Sequence, residues 1–213
     1  MNISEHNVQQ DCHYTTDVKG HRIDIRISSI PTIYGEKMCI RVLDKSTGLV
    51  NTSALGLESE DLAKYQDLLR NSNGVILIVG PTGSGKSTTM ASMIQELAND
   101  QVNVTSLEDP VEYDLKGVNQ VQINEKVGLT FASGLRSILR QDPDVVSIGE
   151  IRDEETATIA LRAAIAGRLV LSTMHTNNSV GTIQRLKDIG VEPYMIGTSL
   201  RGVISQRLVK KIC

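Results

Sequence analysis

The segment Gly80-Pro-Thr-Gly-Ser-Gly-Lys-Ser87 follows the apolar run Val75-Ile-Leu-Ile-Val79, and these two stretches together decide the fold. They fit the pattern G-x-x-x-x-G-K-[ST] placed after a buried strand. A helix with one apolar face is expected next, because Met90, Met93 and Leu97 recur at helical spacing. Glycines in such a loop let backbone N–H groups turn inward around phosphate oxygens, beside the positive end of the helix dipole. The sequence therefore predicts a strand, loop and helix that bind a nucleoside triphosphate.

Two side chains of this loop have a specific expected role in binding. Lys86 is expected to reach the β- and γ-phosphates, and the Ser87 hydroxyl is expected to bind Mg²⁺. The alternative is a chance Gly/Ser loop, but the strand before it and the helix after it weigh against that interpretation. The predicted nucleotide-binding residues are Gly80, Pro81, Thr82, Gly83, Ser84, Gly85, Lys86, Ser87 and Thr88.

Short apolar strands alternate with helical patterns along most of the chain. Strands are predicted at residues 75–79, 102–107, 145–148 and 169–173. Helices are predicted around Leu62 and Tyr65, with Ser59 as N-cap, and at 86–98, 131–140, 154–166, 180–186 and 194–210. Strands that alternate with helices indicate an α/β domain, in which a parallel sheet is covered on both faces.

The first part of the chain has a different period. Ile23, Ile25 and Ile27 alternate with polar residues, which predicts a half-buried strand, and 38–43 is predicted to be its antiparallel partner. Residues 1–19 carry no pattern that predicts structure. A single hairpin cannot bury a core alone, so it must be the edge of something larger or of a neighbouring molecule. The turn-rich stretch that follows it predicts a linker.

Carboxylates and a histidine follow three of the predicted strands, at the edge where open parallel sheets place their ligands. Glu108 and Asp109 follow the second strand, Glu150 follows the third and His175 the fourth. Carboxylates that face a γ-phosphate can polarise water or hold Mg²⁺, and a histidine there can hydrogen-bond the phosphate. An acidic surface loop and a purely structural histidine stay open as alternatives.

Composition excludes several classes of protein. With 213 residues, 40% hydrophobic and 22% charged, the chain can form a packed core and is not expected to be disordered. The net charge of −3, the absence of Trp and a total of five Tyr and one Phe argue against a nucleic-acid surface. The apolar runs are too short for a transmembrane helix. Three widely spaced cysteines predict neither a disulfide framework nor a complete zinc site, so a cytosolic protein is expected.

Four segments together resemble the secretion ATPases of type II secretion and type IV pilus assembly. In that family they are the Walker A, Asp box, Walker B and His box, in this order. Here they read GPTGSGKST (80–88), TSLEDPVE (105–112), RQDPDVVSIGEIRDEET (140–156) and AGRLVLSTMHTN (166–177). The resemblance extends from about residue 10 to the last residue. Residues 120–131 resemble the secretion and pilus-assembly branch more than the pilus-retraction branch.

The resemblance implies a fold and a division of the chain. An α/β RecA-like P-loop NTPase core is expected at 54–213, truncated at its C-terminal end, after a linker at 46–53. Residues 1–45 are expected to be the C-terminal part of a smaller preceding domain, with a partial antiparallel β hairpin. The resemblance further implies ATP and Mg²⁺ as cofactors, a hexamer in the full-length protein, and partners among inner-membrane platform and adaptor proteins. A cytoplasmic location, peripheral at the inner face of the cell membrane, is expected, without direct nucleic-acid binding.

The catalytic residues that the resemblance implies are Glu108, Glu150, His175, Arg26 and Arg41. Glu108 is expected to orient or deprotonate water, and Glu150 to support Mg²⁺ together with Ser87 and Asp109, although the two glutamates can exchange these roles. Arg26 and Arg41 are expected to approach the phosphates from the preceding domain and neutralise developing charge. The alternative for either arginine is a polar position on an exposed strand.

Two positions depart from the family pattern. Ala166-Gly-Arg168 stands where the family often has Thr-Gly-His, so only His175 carries over as the phosphate-sensing histidine. Cys213 resembles the first ligand of a tetracysteine zinc module, which this chain cannot close. The resemblance thus implies a piece of a longer protein, without its N-terminal region and its zinc module. The rival hypotheses are a RecA-like motor of another secretion or nucleic-acid system, and a nucleotide-binding module without turnover.

Overall fold

The computed structural model describes residues 1–44 and 52–210, which fall into two units, Met1–Gly48 and Leu49–Cys213. The first unit is an antiparallel sheet of three strands, β1 (Gln10–Val18), β2 (His21–Thr32) and β3 (Gly35–Asp44), with β2 in the centre. β2 and β3 are the predicted hairpin. β1 lies in the stretch for which the sequence predicted no structure, because its side chains are mostly polar and its pairing partner is the neighbouring strand.

Burial in the first unit differs from the expected pattern. The isoleucines of β2 were expected to define the buried face, yet Asp24 and Ser29 are its fully buried side chains, while Ile23, Ile25 and Ile27 are half-buried. The Asp24 carboxylate accepts a hydrogen bond from Thr15 Oγ1 at 2.8 Å and pairs with His13 Nε2. Hydrogen bonds from the adjacent strand therefore compensate the burial of a charged group.

The second unit is a parallel sheet of six strands in the order β6-β5-β7-β8-β4-β9. Its strands are β4 (Gly74–Val79), β5 (Val104–Glu108), β6 (Val118–Gln122), β7 (Val145–Ile148), β8 (Leu169–Met174) and β9 (Leu200–Ser205). Its α-helices are α1 (Ser59–Leu69), α2 (Lys86–Leu97), α3 (Phe131–Ile138), α4 (Glu154–Ile165), α5 (Ser179–Asp188) and α6 (Pro193–Ser199). Short 3-10 helices occur at Thr52–Ala54, Glu125–Val127 and Leu139–Gln141.

Alternate residues of the central strands pack into two different cores. Leu77 of β4 contacts the cluster that contains residues of α3, α4 and α6. Ile76, its neighbour, contacts the cluster that contains residues of α1 and α2. Every side chain of β4 and β8 is buried, as expected for strands covered on both faces. The prediction of a parallel sheet between two helical layers is confirmed.

Three details differ from the sequence-based expectations. The helix expected at 194–210 ends at Ser199, and the chain continues as β9, whose Ser205 pairs with Val79 of β4. The strand passes close under α1, because a Cβ on Gly202 would lie 2.6 Å from a methyl group of Leu68. Ser59 was predicted to be the N-cap of α1, but the helix begins at Ser59 and its N-cap is Glu58. The strand β6 at the opposite edge was not predicted.

The predicted linker at 46–53 lies mostly outside the described residues. Its last two residues belong to the 3-10 helix, where Thr52 is buried. The Thr52 hydroxyl donates to Glu96 Oε2 at 2.5 Å and lies 3.0 Å from Ser92 Oγ, both on α2. Cys213, the expected zinc ligand, is also outside the described residues. Among the helices that the structure describes, none is long and apolar enough to cross a membrane.

Candidate nucleotide-binding site

The carboxyl ends of four neighbouring strands, β4, β5, β7 and β8, meet at a cavity of about 550 Å³. Open parallel sheets bind ligands at this edge because the loops that leave the strands converge there. The loop after each of these strands contributes side chains to the lining, and so does Leu208 beyond β9. The residues that line this cavity all belong to the second unit.

The loop between β4 and α2 contains three glycines in backbone conformations with positive φ. Gly80, Gly83 and Gly85 have φ angles of +151°, +77° and +87°, which other residues adopt at a cost. Helix α2 begins at Lys86 with Gly85 as N-cap, and no side chain caps it. The first N–H groups of a helix have no partner within the helix, so they can receive phosphate oxygens. The loop, from Gly80 to Thr88, therefore lies where the sequence predicted it.

Lys86 is the cation of this loop, and its ammonium lies near the loop's own backbone. Its Nζ donates to the carbonyl oxygens of Gly80 at 3.0 Å and Pro81 at 3.1 Å. Burial lowers the pKa of Lys86 from its ordinary value, and the negative charge of Glu150 opposes that shift. A phosphate in the cavity would compete with these carbonyls for the ammonium. The predicted Thr88 has another partner, since its Oγ1 lies 3.1 Å from Tyr113 OH.

Glu150 has a buried carboxylate oxygen that accepts no hydrogen bond from the described residues. The residue follows β7 after Gly149, and its side chain is 15% exposed. Oε1 accepts a hydrogen bond from the Arg152 guanidinium, which raises the pKa of that arginine. Oε2 has no hydrogen-bond partner among the described residues and lies 3.6 Å from His175 Nε2. A buried carboxylate oxygen that accepts no hydrogen bond is costly, and a cation or a hydrogen-bond donor beside it would lower that cost.

Glu108 is held at the end of β5 by two side chains. Its Oε1 accepts hydrogen bonds from Ser106 Oγ at 2.7 Å and Gln120 Nε2 at 2.8 Å. Gln120 lies on β6 and also donates to the Tyr113 carbonyl at 2.9 Å, so it connects the strand with the loop after β5. The carboxylate is thus oriented in the lining of the same cavity as Lys86.

Hydrogen bonds between β8 and β7 set the spacing of His175 and Glu150. Thr173 Oγ1 donates to the Gly149 carbonyl at 2.7 Å, one residue before Glu150. Ser172 Oγ donates to the Ile148 carbonyl at 2.9 Å. His175 directly follows the last residue of β8 and is exposed at the cavity wall. The structure therefore brings together Glu108, Glu150 and His175 as expected.

The two predicted metal ligands beside Glu150 are more accessible. Ser87 and Asp109 both line the cavity and are exposed. Arg26 and Arg41, by contrast, belong to the first unit, where they face each other directly across β2 and β3. Arg26 Nε lies 3.9 Å from Asp24 Oδ2.

Several residues that position this site were not predicted from the sequence. They are Ser106, Gln120, Arg152, Thr173 and Gln206. Ser106 and Thr173 lie inside the quoted Asp and His segments, so those segments contained a signal. Gln120 and Gln206 lie on or just after strands that were not predicted, and polar residues there contribute to no hydrophobic period.

Known proteins resemble this chain over its whole length. The family model described as type II/IV secretion system protein matches residues 1–213. The type II secretion system protein E of Dickeya dadantii is 47% identical over 213 residues, and the type II secretion system ATPase E of Vibrio cholerae serotype O1 is 46% identical. All of this chain is aligned in both cases, but it spans only 43% and 42% of those two proteins.

Solved structures agree with these relatives. The pilus retraction motor PilT with bound ADP superposes with a TM-score of 0.80 at 38% identity, over 97% of this chain and 60% of that one. The Legionella pneumophila ATPase DotB superposes with a TM-score of 0.77 at 28% identity, over 95% of this chain and 59% of that one. The fold is accordingly α/β with a RecA-like P-loop core. On this combined evidence the chain belongs to the type II/IV secretion system protein family.

Proposed function

We propose that this chain is the nucleotide-binding and hydrolysing part of an ATPase that powers type II protein secretion. The observation that carries the proposal is the buried carboxylate of Glu150, whose Oε2 accepts no hydrogen bond from the described residues and which shares one cavity with a glycine-rich phosphate loop and its lysine. The chain is also 46–48% identical along its whole length to type II secretion proteins. A carboxylate, a cation and a cradle of N–H groups are the parts that phosphoryl transfer needs.

The phosphate loop binds the triphosphate in this proposal. N–H groups at the start of α2 surround the phosphate oxygens, and the helix dipole adds favourable electrostatic energy. Lys86 leaves the carbonyls of Gly80 and Pro81 and donates to the β- and γ-phosphates instead. His175, exposed at the cavity wall, donates to the γ-phosphate and so distinguishes ATP from ADP.

The residues present also fit a magnesium ion. Oxygen atoms are the ligands that Mg²⁺ prefers, and it keeps several water molecules. Ser87, Glu150 and Asp109 offer such oxygens in the lining of one cavity. The ion, when bound, neutralises charge on the phosphates.

Glu108 is the proposed residue for activating water. Ser106 and Gln120 hold its Oε1, which restricts the direction of the carboxylate and leaves Oε2 to accept a proton or orient water. Glu150 is the alternative for this role, since its Oε2 accepts no hydrogen bond from the described residues. Arg26 and Arg41 complete the site in the proposal by stabilising charge that develops on the transferred phosphoryl group.

Secretion is favoured over pilus retraction by the sequence relatives. The relatives named as type II secretion proteins reach 48% identity, whereas the pilus retraction motor is 38% identical. In the whole protein, we propose a hexamer in the cytoplasm, at the inner face of the membrane, in contact with platform and adaptor proteins. Hydrolysis in that ring would move filament subunits through the platform.

Secretion by cells that carry a Lys86→Ala substitution in the whole protein tests the physiological proposal. We expect exported proteins to remain inside the cell, because the substitution removes the cation of the phosphate loop. Lys64→Ala, on an exposed lysine of α1, is the matched control and leaves secretion unchanged. Loss of surface pili with secretion intact would contradict the assignment to secretion and favour pilus assembly.

A further inference from the structure

Three residues that follow β9 lie beside the candidate site, two of them against the phosphate loop. Gln206, Arg207 and Leu208 continue beyond Ser205, the last residue of the strand, and none of them belongs to the four motif segments of the sequence. Gln206 is half-buried, while Arg207 and Leu208 are exposed. Their contacts reach the loop after β4 and the loop after β8.

Gln206 hydrogen-bonds the phosphate loop at two points. Its backbone N–H donates to the Val79 carbonyl at 2.9 Å, directly before the loop begins. Its side-chain Nε2 donates to the Ser84 carbonyl at 2.6 Å, in the middle of the loop. One residue therefore connects the start of the loop with its centre.

The glycines of the loop fit closely against Gln206. A Cβ on Gly80 would lie 2.4 Å from the Gln206 carbonyl oxygen, closer than any real contact. A Cβ on Gly85 would lie 3.0 Å from Gln206 Nε2. The backbone of the loop and this glutamine are thus complementary at two separate positions, and each restricts the other.

The hydrogen bond to Ser84 also orients the next N–H group. In a trans peptide the carbonyl and the following N–H point in opposite directions. Because Gln206 Nε2 holds the Ser84 carbonyl, the N–H of Gly85 is directed away from Gln206. Gly85 lines the cavity and is the N-cap of α2, where N–H groups receive phosphate oxygens.

Leu208 extends the same segment to the cavity itself. Its side chain is 72% exposed and lines the cavity, and its Cδ2 lies 3.7 Å from the position of a Cβ on Gly85. The cavity also has apolar lining from Met90 and Ile94. Arg207 lies between Gln206 and Leu208 in the chain. Its guanidinium donates to the Asn177 carbonyl at 3.3 Å, which attaches the segment to the loop that carries His175.

We propose that Gln206 is a positioning residue of the phosphate loop, which aligns its N–H groups for the triphosphate, and that Leu208 contacts the nucleoside. The proposal rests on the proposed function, since it assumes that the cavity binds ATP. In this proposal one segment recognises two parts of the nucleotide: Gln206 acts on the phosphates through the loop, and Leu208 contacts the apolar part.

The test compares two probes, ATP and inorganic triphosphate, by calorimetric titration of the 213-residue chain. Gln206→Met keeps the length of the side chain but removes the donor to Ser84, so we expect about tenfold weaker binding of both probes. Leu208→Ala removes apolar contact alone, so we expect about threefold weaker binding of ATP and unchanged binding of inorganic triphosphate. Gln184→Ala, on an exposed glutamine of α5, is the matched control and leaves both affinities unchanged.

The outcomes separate this inference from the proposed function. If the unsubstituted chain binds neither probe, the proposed function fails and the inference fails with it. If the chain binds ATP and Gln206→Met binds both probes as tightly, the role of Gln206 is overturned while the proposed function stands. The midpoint of thermal unfolding is measured for each variant without nucleotide, as a check that the variant is folded. Leu208→Ala acts at an exposed side chain. If it weakens the binding of both probes equally, or of neither, the nucleoside contact is overturned.

Discussion

At Lys86, the phosphate loop carries an ammonium whose environment makes its charge sensitive to pH. Burial lowers its pKa from the ordinary value of 10.5, so the lysine loses its proton at a lower pH than a free lysine does. Triphosphate binding favours the charged form. We therefore expect ATP affinity to fall as the pH rises through this lowered pKa, and ATP binding in that range to take up a proton.

Titration calorimetry in buffers of different ionisation enthalpy measures this proton uptake. Lys86→Arg is the matched variant, because a guanidinium stays charged throughout the alkaline range. Its affinity, whatever its value, should not fall across that pH range. An equal alkaline loss of affinity in Lys86→Arg would show that a group other than Lys86 is titrating.

Glu108 and Glu150 are distinguished by their partners, and their substitution tests the division of roles. We expect Glu108→Gln to retain ATP binding and to lower turnover about a hundredfold, the usual order for loss of acid–base assistance. Glu150→Gln should lower turnover and also raise the Mg²⁺ concentration that gives half the maximal rate. A more severe loss of turnover in Glu150→Gln, with its Mg²⁺ requirement unchanged, would assign the water to Glu150 instead.

Among single residues, the sequence predicted the groups that line the cavity but not the residues that orient them. Lys86 and the two glutamates stand in motifs with a known chemical purpose. Gln120 and Gln206 act through hydrogen bonds, which require their amide groups to lie within bonding distance of the Glu108 carboxylate and the Ser84 carbonyl, respectively. Such distances depend on how the strands are ordered in the sheet, which a local pattern does not contain.

At the scale of elements, helix α3 has a complete capping box at its start. The Thr130 side chain accepts from the Ser133 N–H at 3.2 Å, and the Ser133 hydroxyl accepts from the Thr130 N–H at 2.9 Å. We expect Thr130→Ala to lower the free energy of unfolding by about 1 kcal/mol, since it removes one partner of the helix N-terminus. Thr130→Ser keeps the hydroxyl and should stay close to the unsubstituted chain in denaturant titrations. Equal stability of all three proteins would contradict the capping role.

Elements in the middle of the sheet were predictable, and those at its edges were not. β4 is an uninterrupted apolar run and β8 begins with one, and every residue of both strands is buried because both of their faces are covered. β6, with the sequence VNQVQ, is half exposed and mostly polar. β9 continues the apolar spacing of α6 without a break, so its strand conformation is set by long-range pairing with β4. Tertiary pairing overrides the local pattern there.

At the scale of the whole molecule, the cavity and the two arginines belong to different units. Because the lining residues all lie in the second unit, we expect Arg26→Ala and Arg41→Ala to leave the affinity for ATP unchanged. Turnover should fall about a hundredfold if these arginines stabilise the transition state. Arg70→Ala, an exposed arginine paired with Asp67, is the control and leaves both quantities unchanged. Unchanged turnover in both arginine variants would remove them from the mechanism.

The division into a strand-rich first part and an α/β second part was evident from the change of hydrophobic period. The number of strands in the first unit was not, because the side chains of β1 are largely polar and the strand is identified by its register with β2. Burial of Asp24 was unexpected for the same reason. A charged residue is predicted to be exposed unless its partners are known, and here they lie on the adjacent strand.

The central claim is that this chain hydrolyses ATP at the phosphate loop, and phosphate release by the 213-residue chain tests it most directly. We expect saturable release from ATP with Mg²⁺, which stops when the metal is chelated and falls to background in Lys86→Ala. Phosphate release by Lys86→Ala at the rate of the unsubstituted chain, or binding of ATP by the unsubstituted chain without any release, would contradict the claim.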